Sequence, residues 1–201
     1  MSMPFWLIFA FAIWLEDRRP VFYSQERVGK DGRIFNGLKF RSMLKTAEIG
    51  TGPLQAKEND VRITKIGRIL RATAMDELPQ LWNILKGDMS FVGPRAIRPV
   101  EIDGEDGKPR SVREFDGFKE RSSVRPGLTG VAQVLAPRDI SRTEKFKYDT
   151  WYIKNQSFYL DIKLIIVSFL ITFTGKWEKR QERFNLLTSK LRDKINSQKG
   201  V

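Results

Sequence analysis

Two apolar runs, one near each end of the chain, set the strongest limit on how this sequence can fold. Residues 3–15 contain thirteen residues without a charge, and residues 164–174 form a second uncharged run of eleven. A helix that crosses a bilayer needs about twenty apolar residues, so both runs are too short to span it comfortably. Because they are also too apolar for an ordinary surface helix, they predict helices that lie in or along a membrane surface.

The first run predicts a membrane-embedded half-helix within residues 1–19. Trp6 and Trp14 are side chains typical of membrane interfaces, and Arg18 suits the cytoplasmic side. A secretory signal is not indicated, because no basic segment precedes the run and no small-residue cleavage site follows it. On length alone, a helix buried in the protein core is the alternative.

The C-terminal part of the chain predicts two further helices. Ser157 is placed to cap a helix over residues 158–175, which we expect to lie in the plane of the interface. Residues 176–201 carry eight Lys or Arg against three Asp or Glu, with apolar residues at helical spacing. This tail predicts a basic amphipathic helix suited to anionic lipid, with a solvated flexible tail as the alternative.

The charge and the missing residue types restrict the chemistry. The chain has 36 Lys and Arg against 24 Asp and Glu, a formal net charge of +12, and it has no Cys and no His. The charge predicts an anionic partner, either nucleic acid, acidic lipid or a phosphorylated substrate. The aromatic residues cluster in the apolar ends rather than between the basic residues, which argues against nucleic acid. Without Cys or His, thiol, Ser-His and ordinary zinc chemistry are excluded.

The middle of the chain alternates turn signals with regular patterns. Residues 21–41 predict a β-hairpin around Gly29-Lys-Asp-Gly32, with Lys39 and Arg41 on one face, either to hold a diphosphate or to guard a strand edge. Residues 61–73 predict a basic amphipathic helix. Residues 44–61 and 99–116 read as loops, and residues 122–134 as a turn-rich, anion-binding loop.

The pair Asp76-Glu77 stands out in the stretch between residues 68 and 95. Pro79 suits the first position of a helix, so the two carboxylates lie just before a helix N-terminus, where anions are favoured. The pair is either a helix cap or part of a site for anionic groups or for a metal held by them. By itself, an isolated Asp-Glu pair is more often a cap.

Three motifs together carry a family resemblance. They are Asp76-Glu77-Leu-Pro79-Gln80 continuing to Gly93-Pro94-Arg95, then Arg125-Pro-Gly-Leu-Thr-Gly130-Val-Ala-Gln133, then residues 152–161. In order and spacing this sequence resembles the bacterial sugar transferases, which are monotopic phosphoglycosyl transferases that load a sugar-1-phosphate onto polyprenyl phosphate. The resemblance runs from about residue 4 to about residue 173.

The resemblance implies a mechanism and a set of site residues. Asp76 would be the nucleophile that forms a covalent phosphosugar-aspartate, and Glu77 would bind Mg²⁺. Arg95 would clamp phosphate, and the weaker candidates for the substrate pocket are Lys39, Arg41, Arg125 and Gln133. The implied partners are a nucleotide-diphosphate sugar, by family habit a UDP-sugar, and undecaprenyl phosphate, together with anionic membrane lipid. No nucleic acid is expected, and association with a second copy of the chain is left open.

The residues are consistent with that chemistry. A carboxylate is a known covalent nucleophile toward phosphoryl groups, and no general base is needed because both attacking groups are ionised at neutral pH. Attack by one anion on another requires neutralisation, which Mg²⁺ and a forked Arg side chain can supply. An enzyme of this kind can therefore work without histidine.

Three departures from the family pattern are visible. The Ser2-Met3-Pro4 start looks like the break in the middle of the family's re-entrant hairpin, so we expect that the first half of the hairpin is missing. Ala96 replaces the second Pro of the family's Pro-Arg-Pro, and Ala74 replaces a frequent Ser two residues before the dyad. A non-catalytic relative, disabled by the shortened N-terminus, is the alternative to an active transferase.

Together these observations predict an α+β fold, mostly helical with a small β-hairpin, in a monotopic membrane protein. The membrane-contacting parts would be a partial re-entrant N-terminal helix and interfacial amphipathic helices. The expected organisation is an anchor over residues 1–19, a catalytic domain over 20–175 and a basic tail over 176–201. The resemblance implies the cytoplasmic face of the inner membrane.

Overall fold

The computed structural model describes residues 3–18, 20–44, 47, 60–102, 109–137 and 140–174. Within these ranges helices make up most of the regular structure, and the strands form short two-stranded sheets. The α+β class and the predominance of helix are as predicted. The predicted tail over 176–201, and nearly all of the predicted loop over 44–61, lie outside the described residues.

The elements follow one another along the chain in a mixed order. The helices are α1 (Met3–Asp17), α2 (Lys65–Ala72), α3 (Gln80–Lys86), α4 (Phe118–Arg121), α5 (Val131–Leu135), α6 (Arg142–Asn155) and α7 (Phe158–Thr174). The strands are β1 (Phe22–Val28), β2 (Ile34–Phe40), β3 (Ser90–Val92), β4 (Val100–Ile102), β5 (Pro109–Ser111) and β6 (Gly127–Thr129). Antiparallel pairs join β1 to β2 and β4 to β5, and β3 pairs with β6 in parallel.

The predicted hairpin is confirmed. Its strands β1 and β2 are linked by one turn of 3₁₀-helix over Lys30–Gly32, where Gly32 has a φ of 75° that favours glycine. Exposed and less exposed residues alternate along β1, as expected for a two-stranded ribbon that packs one of its faces against a core. The hairpin therefore presents one face to the rest of the domain.

The helix predicted over residues 61–73 is shorter than expected. Residues 61 and 62 instead form a turn, closed by the Ile63 amide donating to the Asp60 carbonyl. Ile63 then forms a β-bridge with Met43, and the Leu44 amide donates to the Arg62 carbonyl. α2 begins only after Thr64, whose hydroxyl accepts the amide of Gly67. A side-chain cap of this kind satisfies a donor that has no partner within the helix, and so sets its first turn.

α1 has one buried face and one exposed apolar face. Ile13 lies in a core cluster with Phe40 and Leu70, and Trp6 and Phe9 pack against it. The opposite face exposes large apolar side chains, which are Leu7, Ile8, Phe11, Trp14 and Leu15. The alternative of a fully buried core helix is therefore not what the structure shows. No helix in the described ranges has both the length and the apolarity needed to cross a membrane.

α7 has the same two-sided character. Its inner face contributes to the largest core cluster, together with α5, α6 and Val92. The phenol of Tyr152 on α6 donates a 2.8 Å hydrogen bond to Asp161, which ties the two helices at their junction. The outer face exposes Phe158, Tyr159, Ile162, Ile166, Phe169 and Phe173. The predicted helix and the Ser157 cap, whose hydroxyl accepts the Leu160 amide, are confirmed.

The prediction of a loop over residues 99–116 is wrong in part. It contains the antiparallel pair β4–β5, followed by a 3₁₀ turn over Val112–Glu114 that buries Val112. Each of these strands has only three residues, so an alternating pattern has no length in which to become visible. The turn-rich stretch over 122–134 likewise includes strand β6 and the fully buried helix α5.

Candidate active site

One face of the hairpin forms a wall of an open cleft. In the β1–β2 register, Gln25 lies opposite Gly37 and Arg27 opposite Phe35, and Lys39 lies on the same side two residues after Gly37. Because side chains alternate along a strand, these polar residues share one face. The cleft is open to solvent and is lined by Gln25, Arg27, Gly37, Lys39, Glu77, Gln80, Met89, Arg95, Ala96 and Gly127.

The carboxylate pair lies on a 3₁₀ turn, from which Glu77 lines the cleft and Asp76 is buried next to it. The turn spans Met75–Glu77, and Leu78 separates it from Pro79, so the predicted position of the dyad just ahead of a helix is confirmed. Pro79 itself is the N-cap residue of α3, whereas the sequence predicted that it would be the first helical residue. Ala74 precedes the turn with a φ of 54°, in the left-handed region that residues with a Cβ rarely adopt. The chain therefore reverses sharply between α2 and the dyad, and this reversal brings both carboxylates to the hairpin.

Two cations meet the dyad inside the cleft. Lys39 Nζ lies 2.6 Å from Glu77 Oε1 and 3.9 Å from Asp76 Oδ2. Arg95 Nη2 donates to the same Glu77 oxygen at 3.0 Å. The side chain of Glu77 is 15% exposed and that of Asp76 only 11%, whereas Arg95 remains 49% exposed. Two largely enclosed carboxylates thus face one enclosed cation and one that reaches toward the solvent.

The two neighbouring carboxyl groups have opposite pKa shifts. Burial raises the pKa of Asp76, and Lys39 at 3.9 Å offsets this only in part, while the charge of Glu77 adds to it. Burial would also raise the pKa of Glu77, but Lys39 and Arg95 outweigh it and hold that pKa far below its usual range. Glu77 is therefore a firmly ionised anchor for the cations, and Asp76 is a carboxylate with little stabilisation of its charge.

Arg27 adds a third cation to the cleft, one that the sequence reasoning missed. Its Nη1 donates to the Ala96 carbonyl at 3.2 Å and its Nη2 to Gln25 Oε1 at 2.6 Å. The signal that could have found it is the period of two along β1, which puts Gln25 and Arg27 on the face opposite Phe22 and Ser24. Gln80 and Met89, which also line the cleft, had no such signal.

The other residues predicted for the substrate pocket are placed differently. Lys39 lies in the cleft, but Arg41 comes after the end of β2, and its guanidinium donates to the carbonyls of Asp17 and Arg18 at the end of α1. Arg125 is exposed, with a guanidinium nitrogen close to Gly87. Gln133 is buried behind Gly127 and donates to its carbonyl at 3.5 Å. The structure therefore brings together Lys39, Asp76, Glu77 and Arg95, and it does not bring Arg41 to them.

Close backbone packing forms the floor of the cleft. Gly93 and Gly127 lie where β3 and β6 approach, and a Cβ built on Gly93 would stand 2.5 Å from the Arg125 carbonyl oxygen and 2.9 Å from the Gly127 amide. No side chain fits in that space. The two glycines thereby allow the Gly-Pro-Arg turn and the segment around residue 127 to meet, and this contact carries Arg95 to the dyad.

The donor set at the dyad can be compared with what Mg²⁺ requires. The described residues contain no cluster of three Asp, Glu, His or Cys. Mg²⁺, however, commonly binds one or two carboxylates and completes its shell with water and substrate phosphate. Lys39 and Arg95 both contact Oε1 of Glu77, so its second oxygen, Oε2, is the one available to a metal. The carboxylate oxygens of Glu77 and of its neighbour Asp76 are donors of the kind that Mg²⁺ prefers.

The sequence of the chain was compared with protein families and with known proteins. The family model described as "Bacterial sugar transferase" matches residues 1–175. The chain is 40% identical, over 86% of its length, to a UDP-N-acetylgalactosamine-undecaprenyl-phosphate N-acetylgalactosaminephosphotransferase of Aeromonas hydrophila. It is 39% identical, again over 86%, to a UDP-glucose:undecaprenyl-phosphate glucose-1-phosphate transferase of Klebsiella pneumoniae. The matched parts are 40% and 36% of those two proteins, so the chain spans well under half of their lengths.

A relative of similar size is also found. The uncharacterized sugar transferase EpsL of Bacillus subtilis is 39% identical over 74% of the chain, and the match covers 68% of that protein.

Proposed function

The chain belongs to the bacterial sugar transferase family, and from this premise we propose that it transfers a sugar-1-phosphate from a UDP-sugar to undecaprenyl phosphate. The observation that supports the proposal is the arrangement of Lys39, Glu77 and Arg95 in one cleft, with Asp76 3.9 Å from Lys39. Relatives named for UDP-sugars and undecaprenyl phosphate support the choice of both substrates. The reaction would be the first membrane step in the synthesis of a surface polysaccharide or glycoconjugate.

In the first half-reaction, an ionised oxygen of Asp76 attacks the β-phosphorus of the UDP-sugar. A bond forms between this oxygen and phosphorus, and the bond from phosphorus to the bridging oxygen breaks. The electron pair stays on the bridging oxygen, which leaves as part of UMP. The low stabilisation of the Asp76 charge, shown by its raised pKa, favours a state in which that charge is shared with phosphorus.

In the second half-reaction, a phosphate oxygen of undecaprenyl phosphate attacks the same phosphorus. The bond from phosphorus to Asp76 breaks, and the carboxylate is regenerated as the lipid-linked sugar diphosphate forms. Neither step requires a proton to be removed from the attacking group, because a carboxylate and a phosphate monoester are both ionised at neutral pH. Proton transfer by a histidine is therefore unnecessary.

The neighbouring cations make the approach of two anions possible. Lys39, between the two carboxylates, and Arg95, whose side chain is half exposed, can both reach a phosphate group in the cleft. Arginine suits this task because its planar fork matches phosphate oxygens. Glu77 and Asp76 would hold Mg²⁺, which when bound supplies further neutralisation of the diphosphate. Removal of Mg²⁺ with a chelator should then abolish UMP release.

The exposed apolar faces of α1 and α7 support an enzyme that works at a membrane. Leu7 and Leu15 are 71% and 62% exposed, and Phe158 and Phe173 are 82% and 72% exposed. Exposed apolar surface of this kind marks sites of membrane or protein contact. The basic side chains of α2 that accompany exposed Ile69 suit anionic headgroups. We place the protein at the cytoplasmic face of the inner membrane, where its substrate and lipid acceptor meet.

The proposal is tested by incubating membranes that contain the protein with undecaprenyl phosphate and a panel of UDP-sugars, and by measuring UMP release. We expect release with one or few sugars, dependent on Mg²⁺. The Asp76→Asn variant should release no UMP and should still associate with membranes. Trapped radioactive sugar phosphate should map to Asp76 in the wild-type protein. An adduct on another residue, or direct transfer without an adduct, would contradict the covalent mechanism.

A further inference from the structure

Arg27 is a half-buried cation without a carboxylate partner among the described residues. Its two hydrogen bonds go to neutral oxygens, those of the Ala96 carbonyl and of the Gln25 side chain. A guanidinium taken partly out of water is costly unless an anion compensates it. It has five N–H donors, and these two bonds leave others free to bind a ligand.

The surroundings of Arg27 increase that cost. Burial, followed by the charges of Arg95 and Arg98, lowers the pKa of Arg27 to about 10. The side chain therefore stays protonated at neutral pH, although two like charges lie close to it. Glu101 and Glu77 act in the opposite direction, but their charges come after those of Arg95 and Arg98. The cleft is lined by three cations, Arg27, Lys39 and Arg95, and by one carboxylate, that of Glu77, so it favours an added anion.

Arg27 lies away from Asp76 along the hairpin. Lys39, which contacts the dyad, pairs with Tyr23, whereas Arg27 pairs with Phe35. At a rise of about 3.4 Å per residue, the two positions on β1 are separated by roughly 14 Å along the strand. The charge of Arg95 acts on the pKa of Asp76 and also on that of Arg27. Arg95 thus stands between the nucleophile and Arg27.

This order matches the geometry of phosphoryl transfer. The attacking and leaving oxygens lie roughly in line on opposite sides of the phosphorus. With Asp76 on one side, the leaving group points away from the dyad and toward the far part of the cleft. We propose that Arg27 binds the phosphate that leaves with the nucleoside, and that Lys39 and Arg95 bind the phosphate that is transferred. This inference rests on the proposed function.

Arg27 would stabilise the negative charge that develops on the leaving group when the UDP-sugar is cleaved. When the bond between the β-phosphorus and the bridging oxygen breaks, the electron pair remains on that oxygen, so the departing nucleoside monophosphate gains one negative charge. Charge-assisted hydrogen bonds from a guanidinium stabilise that charge as it develops. Arg27 then binds the product UMP as well as the donor substrate.

The test measures the binding of UMP and of uridine to the full chain by titration in the absence of lipid acceptor. Arg27→Met keeps the length of the side chain and removes the charge, and Arg27→Lys keeps the charge and removes the fork. The matched control is Arg33→Met, which makes the same charge change at an exposed position between the hairpin strands and outside the cleft. Thermal unfolding of each variant shows that it is folded.

We expect Arg27→Met to weaken UMP binding by about 10- to 100-fold, the loss typical of hydrogen bonds to a charged group. Arg27→Lys should have an intermediate effect, Arg33→Met none, and uridine should bind the folded variants and the wild type alike. Equal UMP affinity in Arg27→Met and in the wild type, or a wild type that does not bind UMP, would overturn the inference. A wild type that binds UMP through Arg27 but releases none from any UDP-sugar would overturn the proposed function alone.

Discussion

Arg121 holds the main chain of Arg95 in place: its Nη2 atom donates a 2.6 Å hydrogen bond to the Arg95 carbonyl oxygen. The same guanidinium donates through Nε to Asp149 Oδ2 at 3.1 Å and lies 4.5 Å from the ring centre of Phe146. Both charged side chains are almost completely buried, at 3% and 4% exposure. Because Ala96 stands where a second proline would stiffen the turn, we infer that this buried pair aims Arg95.

This contact predicts that Arg121 acts on turnover through Arg95. Arg121→Lys cannot reach both Asp149 and the Arg95 carbonyl with one point charge, so we expect the rate of UMP release to fall about tenfold, the equivalent of roughly 1.4 kcal/mol. Lys147→Met, at an exposed ion pair on α6, is the control and should be neutral. If Arg121 only stabilised the fold, the variant would be less stable, but kcat and KM of its folded fraction would not change. A normal kcat and KM in folded Arg121→Lys would contradict the positioning role.

The dyad predicts opposite stability effects for two adjacent substitutions. Glu77→Gln removes the negative charge from the acceptor of two charge-assisted hydrogen bonds and should lower the free energy of unfolding by about 2 kcal/mol. Asp76→Asn removes a buried charge whose pKa is raised, and should raise the melting temperature. Both are measured by thermal unfolding at pH 7 with chelator present. If both substitutions changed the melting temperature in the same direction, the two carboxyl groups would not have the opposite pKa shifts described above.

The depressed pKa of Glu77 predicts part of the acid sensitivity of the fold. A carboxyl whose pKa is lower in the folded state contributes stability above its unfolded pKa, near 4.3, and loses that contribution as the pH falls toward the folded pKa. Glu77→Gln should therefore flatten the decline of the unfolding free energy below about pH 5. Denaturant titrations between pH 3 and pH 7 measure this decline. An unchanged pH dependence in the variant would contradict the assigned ion pairs.

The left-handed conformation of Ala74 predicts a stabilising glycine. A residue with a Cβ at a φ of 54° loses about 1 kcal/mol relative to glycine, so Ala74→Gly should raise the free energy of unfolding by up to that amount. Ala72→Gly, at the end of α2, is the matched control and should lower it by up to about 1 kcal/mol. Chemical denaturation gives both values. Destabilisation at position 74 would mean that the turn before the dyad has another conformation.

The glycine contact under the cleft predicts a position that tolerates no side chain. A Cβ at Gly93 would overlap the backbone around Arg125 and Gly127, so Gly93→Ala should shift the Arg95 turn and cost several kcal/mol of stability or abolish folding. Ser90→Ala, on strand β3 just before Gly93, should have little effect. Expression level, melting temperature and UMP release are compared for the two variants. A fully active Gly93→Ala protein would rule out the close approach of β3 and β6.

The outer face of α7 predicts how the protein holds a membrane. Phe169→Glu places a charge where an apolar ring is 60% exposed, and should reduce binding to vesicles of anionic lipid by more than tenfold. Lys154→Gln removes one charge from an exposed position on α6, so it changes the net charge equally without touching this face. Vesicle sedimentation compares the two. Equal retention of both variants would mean that the α7 face contacts something other than lipid.

Much of the local structure could be predicted because its causes are local. The hairpin follows from the glycine-bounded turn at residues 29–32 and the period of two on either side. The place of the dyad follows from Pro79, which sets the start of α3. The pairing of β4 with β5 could not be predicted, because three-residue strands leave no periodicity to detect.

The sequence by itself limited which chemistry is possible: a chain without Cys or His must use carboxylates, Lys, Arg, Tyr or hydroxyl groups, and the adjacent carboxylates near Pro79 are the strongest candidates. Only the tertiary structure decided which cations. Lys39 reaches Glu77 across 38 residues of chain and Arg95 across 18, while Arg41, two residues from Lys39, turns to the end of α1. The physical reason is that the charge of a side chain, and the face of its helix or strand on which it lies, depend on the local sequence. Its contact partner depends on how elements distant in sequence pack together.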